Sequence, residues 1–268
     1  MLFFRRMASI LILCLGSQAL QAGVIPTIHL DPAMVKAYDD YLAGWQTAYE
    51  AAFRTSGKLW IDDLSSRDSL KNGKVVLEPV MMKELRNASL HHYSGVVHVK
   101  GAKIDQVRKV MQDYPNYMKI FPGDLGAASA TAEPDSTPER EHFLSKLLLV
   151  QGTLWINVTY DTLYDTHYLR YAPDRWQVRS KSLSIKELTE PKNYASKPYP
   201  DGDDHGFLWR TDTFWFVRER GDGIDIEAHS VSLSRPSPTG FGWWGNKRSR
   251  DAVDKMIRDT VAALPWHQ

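Results

Sequence analysis

Two segments near the C-terminal end, GFLWRTDTFWFVRER and GIDIEAHSVSLSR, restrict the fold more than any other part of the chain. Each is long enough for a strand, and the Gly221–Asp222–Gly223 junction between them predicts a tight hairpin. Side chains at i and i+2 share a face of a strand. Phe207, Trp209, Thr211, Thr213, Trp215 and Val217 therefore fall on one face, and Leu208, Arg210, Asp212, Phe214, Phe216 and Arg218 on the other. The three charges of the second set assign the first set inward. Along the partner strand Ile224, Ile226 and Ala228 share a face, whereas Val231 and Leu233 fall with Glu227 and His229. That switch predicts a bulge or a partly polar interior. An amphipathic helix follows over Asn246–Leu264, with Val253, Met256, Ile257, Thr260, Val261 and Leu264 on one face.

Upstream, Tyr38, Tyr41, Leu42, Trp45, Tyr49, Ala52 and Phe53 step by three and four, predicting a helix opened by Asp31–Pro32 and ended by Gly57. KLWID and KVVLEPV read as short strands around an Asn72–Gly73 turn. HHYSGVVHVKG begins a longer strand, and Ile104, Val107, Val110 and Met111 give a second helical stripe. EHFLSKLLLVQG and TLWINVTYDTLYD read as strands, and HYLRYAPDRWQVRSKSLSIKEL as a strand interrupted at Pro173. TAEPDSTPER reads as a loop. Antiparallel strands in a run with a long terminal helix make an α+β arrangement, in which the helix lies across the concave face of a meander.

The first residues stand apart. Met1–Ala22 carries Arg5 and Arg6, an apolar run from Met7 to Leu15, and small residues at Ser17, Ala19 and Ala22, the pattern of a secretory signal peptide. Export to the periplasm or medium is the expectation. The chain has one cysteine, Cys14, inside that segment. A processed chain would hold together by core burial without disulfides. Residues 23–89 then form a helical and hairpin extension and 90–268 the main domain. The formal charge is +1 with no block of like charge, so nucleic acid is not an expected partner. Nothing in the sequence sets the oligomeric state.

The segment DYPNYMKIFPG, Asp113–Gly123, follows the second helical stripe with three aromatic rings and two prolines. Together with GVVHVKGAKIDQVRKVMQ before it, GFLWRTDTFWFVRERGDG and the terminal helix, it resembles the START-like helix-grip superfamily (SRPBCC; polyketide cyclase and lipid-transport type) over about Leu90–Leu264. DDHGFLWR and SLSRPSPTGFGWW are similar to an exported bacterial branch from which a fold, but no activity, carries over. The resemblance implies a curved antiparallel sheet wrapped around the long C-terminal helix, with a cavity between them. It implies that Tyr114, Tyr117 and Phe121 line or plug the cavity mouth, or pack as ordinary core.

A cavity of this kind would be lined by Trp155, Asn157, Trp209, Thr211, Thr213, Trp215 and Met256, an apolar wall broken by a few hydrogen-bonding groups, as small-molecule pockets require. The expected partner is an apolar or amphipathic, lipid-like molecule. The alternative is a cyclase- or dehydratase-like enzyme using Glu227, His229 and Arg210 in the same pocket; Glu227 and His229 otherwise form a solvated face or an internal hydrogen-bonded couple. No cofactor is expected. His92 and His98 share a strand face but stand ~20 Å apart, too far to ligate one ion, and no metal site is expected. Trp243 and Trp244 in GWWG form either a transient membrane-touching tip or a packed turn.

Overall fold

The computed structural model describes residues 27–71, 73–85, 87–152, 157–236 and 242–265, the side chains of 242–246 excepted. The signal-peptide segment, Trp155, Asn72 and the Trp243–Trp244 side chains lie outside these described residues. The helices are α1 (Pro32–Ser56), α2 (Ile104–Gln112), α3 (Tyr117–Ile120) and α4 (Gly242–Ala262). The strands are β1 (Val76–Leu85), β2 (Ala88–Lys100), β3 (Leu125–Ala132), β4 (Arg140–Gly152), β5 (Asn157–Ala172), β6 (Arg175–Glu187), β7 (Arg210–Arg220) and β8 (Gly223–Ser234). They form one sheet in the order β1-β2-β8-β7-β6-β5-β4-β3, antiparallel throughout. This curved antiparallel sheet with a C-terminal helix across one face is the expected α+β arrangement.

Local chemistry sets the boundaries. Asp31 caps α1 by accepting from Ala33 N at 2.8 Å, Pro32 occupies the first turn, and Gly57 closes the helix in the left-handed conformation at φ 70°. Pro173 sits in the β5–β6 turn, which is why that long segment reads as an interrupted strand. Three expectations are corrected. Trp60–Asp63, in KLWID, is a 3₁₀ turn rather than a strand. LGAASATA, read as no element, is strand β3. The terminal helix starts at Gly242, four residues earlier than its apolar stripe.

Both faces of the sheet centre are covered. On one, Tyr93, Val97 and Val99 of β2 meet Ile226 and Ala228 of β8, with α2 and α4 above them. On the other, Leu90 and Val96 of β2, Phe214 and Phe216 of β7, and Val231 and Leu233 of β8 pack against Tyr38, Leu42 and Phe53 of α1. This double burial explains the pattern switch in β8, which pairs with β2 and β7 without a register shift. Of the two expectations for this switch, the bulge is absent and the partly polar interior holds, with Glu227 and His229 buried beside Val231 and Leu233 in the second core.

α4 seats on β2 at a glycine. A methyl group on Gly95 would lie 2.5 Å from Ile257 Cδ1 and 2.9 Å from Val253 Cγ1. The strand can approach the helix this closely only because it has no side chain at that position.

α1 is held by a buried polar chain as well as by apolar contact. Tyr41 OH lies 2.7 Å from His92 Nδ1, His92 Nε2 lies 2.9 Å from His229 Nδ1, and His229 Nε2 lies 3.1 Å from Glu227 Oε1. With one proton on each ring every bond is satisfied in one direction, from the Tyr41 hydroxyl to the Glu227 carboxylate. Glu227 also accepts from Tyr49 OH, and from Trp60 N and Ile61 N at 3.1 Å each, the first two amides of the 3₁₀ turn. Trp45 covers both imidazoles at ring-centroid distances of 4.8 and 4.9 Å. His92, Glu227 and His229 have no exposure. Burial and then the neighbouring His229 hold the His92 pKa well below its ordinary value, while burial pushes Tyr41 up to about 12.

Two outcomes follow from this packing. Gly95→Val should destabilise the protein by about 1–3 kcal/mol through overpacking against α4, read from urea unfolding midpoints. For His92 the unfolded chain takes up a proton below about pH 6.5 that the folded chain refuses, so its contribution is present above that pH and lost below it. Stability should fall by up to ~1.4 kcal/mol per pH unit below 6.5 on this account. His92→Gln, which keeps one donor and one acceptor, should flatten that part of the slope; an unchanged slope would place the titration elsewhere.

Candidate functional site

Covering one face with α4 does not fill it. α4 crosses β1, β2 and β8, and beyond it a cavity of about 1060 Å³ opens between α3, α4 and the inner face of strands β4 to β8. Its size is at the upper end of small-molecule pockets, roughly 300–1,000 Å³.

The Asp113–Gly123 segment builds one wall, with Tyr114, Tyr117 and Phe121 all on the lining. Tyr114 and Tyr117 rings lie 4.7 Å apart, and Tyr117 meets Phe121 edge-on at 5.2 Å. Their polar ends are tied down. Tyr168 OH donates to Met111 O at 2.6 Å, Tyr117 OH donates to the same carbonyl, and Tyr114 OH lies 3.2 Å from Tyr168 OH. Met111 O is one of the last carbonyls of α2, which lack partners within the helix. Two phenols thus satisfy a helix end while their rings face the cavity. Burial raises the pKa of all three phenols, which keeps them protonated donors.

The floor is a field of small hydroxyls. Thr213 pairs in register with Ser180 and Ser230, and Thr211 with Ser232. Thr211, Thr213, Ser180, Ser230 and Ser232 all line the cavity, as does Ser145. Ser145 Oγ reaches Thr166 Oγ1 at 3.2 Å, which reaches Ser180 Oγ at 3.0 Å. Against these stand Leu147, Leu149, Val178, Trp215 and Met256.

Two guanidinium groups complete the lining. Arg248 of α4 donates to Gln151 Oε1 at 2.7 Å, and burial lowers its pKa. Arg235 donates to His205 O at 3.0 Å and stacks over Phe207 at 5.6 Å, its pKa also lowered by burial. Phe207 packs on the cluster of Val158, Tyr160 and Leu208, and the Arg248 charge acts on Tyr160, so both cations gather at one end of the cavity. At the wall of rings, Lys255 of α4 reaches Asp124 at 2.8 Å, Asp259 at 2.5 Å and Pro122 O at 3.1 Å.

Of the residues expected to line a cavity, Tyr114, Tyr117, Phe121, Asn157, Thr211, Thr213, Trp215 and Met256 do so. Trp155 lies outside the described residues. Trp209 does not line it: the residue belongs to the α1-side core, with Nε1 3.3 Å from Asp204 Oδ1. Phe207 and Leu208 both border the cavity, so alternation breaks where the chain enters the sheet, and β7 begins only at Arg210. Glu227, His229 and Arg210 are also absent from the lining. Glu227 and His229 clamp α1, and Arg210 Nη1 donates to Ser182 O at 3.3 Å. An acid–base role for these three in the cavity is corrected by their position on the other face. Arg235, Arg248, Lys255 and the Ser230–Ser232 pair escaped the sequence reading, although serines at i and i+2 in HSVSLS are a legible hydroxyl face. Among the described residues the group with metal-ligand spacing is His142, Asp165 and His167, away from the cavity.

No protein-family model matches the sequence, and no curated protein does. Solved structures with a partial likeness include a STAR-related lipid transfer protein (fragment 25–204) from Xanthomonas axonopodis, 17% identical with TM-score 0.46, covering 70% of this chain and 98% of that one. Human STARD10 is 14% identical with TM-score 0.43, covering 69% and 72%. The Zhui aromatase/cyclase from Streptomyces is 12% identical with TM-score 0.35, covering 65% and 88%. Likenesses this distant carry no argument about what the cavity holds.

Proposed function

We propose that this protein is an exported carrier that holds one amphipathic, lipid-like molecule in the cavity between sheet and α4. The observation that supports it most is the cavity itself: about 1060 Å³ among the described residues, walled by aromatic and aliphatic side chains. Binding would be driven by moving apolar ligand surface out of water, worth ~2.5 kcal/mol for each 100 Å². The apolar body would lie among the Tyr114, Tyr117 and Phe121 rings, with hydroxyls beneath to orient any polar group. An anionic or strongly polar head would face Arg235 and Arg248. The Met1–Ala22 signal pattern supports export, and with it a role outside the cytosol. The cyclase- or dehydratase-like reading loses the Glu227, His229 and Arg210 set that motivated it.

The clasp between Lys255 and the Pro122–Asp124 loop suits α4 and the loop to act as a gate. Lys255 and Asp124 are 41% and 48% exposed, so their pairing is worth at most about 1 kcal/mol and opens easily.

Native mass spectrometry of the protein purified gently from its own compartment tests the carrier reading. An excess mass lost on denaturation is expected, and its extraction names the ligand class. A bare mass, together with failure to bind a panel of fatty acids, quinones and hopanoids, would overturn it. With a ligand in hand, Lys255→Ala should speed its dissociation several-fold while changing the unfolding free energy by less than ~1 kcal/mol. An unchanged rate would remove the gate from α4.

A further inference from the structure

On β4 and β5, Phe143 and Tyr168 point toward the cavity side, so their neighbours His142 and His167 project from the opposite face. His142 and His167 are directly opposite in register, and Asp165 is two residues from His167 on the same face. Their side chains converge. Asp165 Oδ1 lies 2.8 Å from His142 Nε2 and 3.0 Å from His167 Nε2, and the imidazoles stack with centroids 4.2 Å apart. The three side chains are partly accessible, at 18%, 27% and 13% exposed for His142, Asp165 and His167.

Two nitrogens and one carboxylate oxygen directed at one point can be bridged by protons or by a single cation. A tetrahedral ion with ligands at ~2.0–2.2 Å holds them ~3.3 Å apart, so the two Asp165 contacts, at 2.8 and 3.0 Å, need open by only a few tenths of an ångström. The surroundings fit that use. Asp135 Oδ1 takes His142 Nδ1 at 2.6 Å, and Arg140 in turn holds Asp135. A carboxylate on Nδ1 fixes the tautomer that leaves Nε2 free to ligate. His167 Nδ1 is buried without a hydrogen-bond partner, so the ring's polar contact is made through Nε2, the atom turned toward Asp165. Arg140 and Arg179, the latter opposite His167, offset the carboxylate charge. Two imidazoles with limited net negative charge suit a borderline ion of the zinc type and not Ca²⁺ or Mg²⁺, which need oxygen ligands.

We propose that His142, Asp165 and His167 form a binding site for one divalent transition-metal ion of the zinc class on the sheet face opposite the cavity, with a fourth position open to solvent. Isothermal titration of Zn²⁺ into the chelator-treated chain, purified without a polyhistidine tag, tests it. One ion per chain is expected. His142→Ala and His167→Ala should each weaken it by more than ~10-fold, and Asp135→Asn by roughly 10-fold through loss of orientation. Asp165→Asn, which preserves shape, keeps the test open if either histidine variant fails to give the wild-type circular dichroism spectrum. The control His29→Ala should bind as wild type. No saturable uptake, or uptake unaffected in the folded His142, His167 and Asp165 variants, would overturn the proposal, as would equal uptake of Mg²⁺.

Discussion

A sheet whose central strands are apolar on both faces has to be covered twice, and the rest of this structure follows from how unequally that is done. α1 covers one face of β2, β8 and β7 with a close-packed aromatic core. α4 covers the other face only over β1, β2 and β8, where Gly95 admits it. Over β4 to β7 the inner face is covered only in part, by α2 against Tyr168, Trp176 and Trp215, and the uncovered remainder is the cavity floor. The same strand chemistry thus gives a sealed core on one side and a ligand-sized space on the other.

β8 shows how closely the two uses are combined. Ser230 and Ser232 face the cavity; Glu227, His229 and Val231 face α1. Buried polar groups are tolerated on the sealed side because each finds a partner: the hydroxyl of Tyr41, the two imidazoles, and the amides of the Trp60–Asp63 turn. On the open side the hydroxyls are small and partly paired with one another, so they can meet a guest without leaving a charged group bare. A glutamate and histidine two residues apart suggest acid–base chemistry when read along the chain. In the fold they secure the N-terminal helix.

Legibility followed physical signal strength. The β7–β8 hairpin, the α1 and α4 stripes and the aromatic Asp113–Gly123 wall were readable because period and turn chemistry are local. β3 was not, since LGAASATA has almost no large side chain to alternate. KLWID was read as a strand because it is short and apolar, yet Glu227 and Asp62 accept from its amides and make it a turn. Trp209 was misplaced by extending a two-residue period past the residue where ladder pairing starts. The residues that bring charge to the cavity, Arg235 and Arg248, come from a loop and a helix, and no sequence period links them to the floor.

What the sequence determined by itself is most of the elements and their order, an α+β chain with an antiparallel run and a terminal helix, because each follows from spacing within one segment. Which face of β8 is sealed, where the cavity opens, and which side chains from distant segments meet in it were decided only by the tertiary structure. Local alternation says that two residues lie on opposite faces, but not what covers each face. That depends on where α1 and α4 dock, and docking is set by contacts between residues more than a hundred positions apart, such as Tyr49 with Glu227 and Gly95 with Ile257.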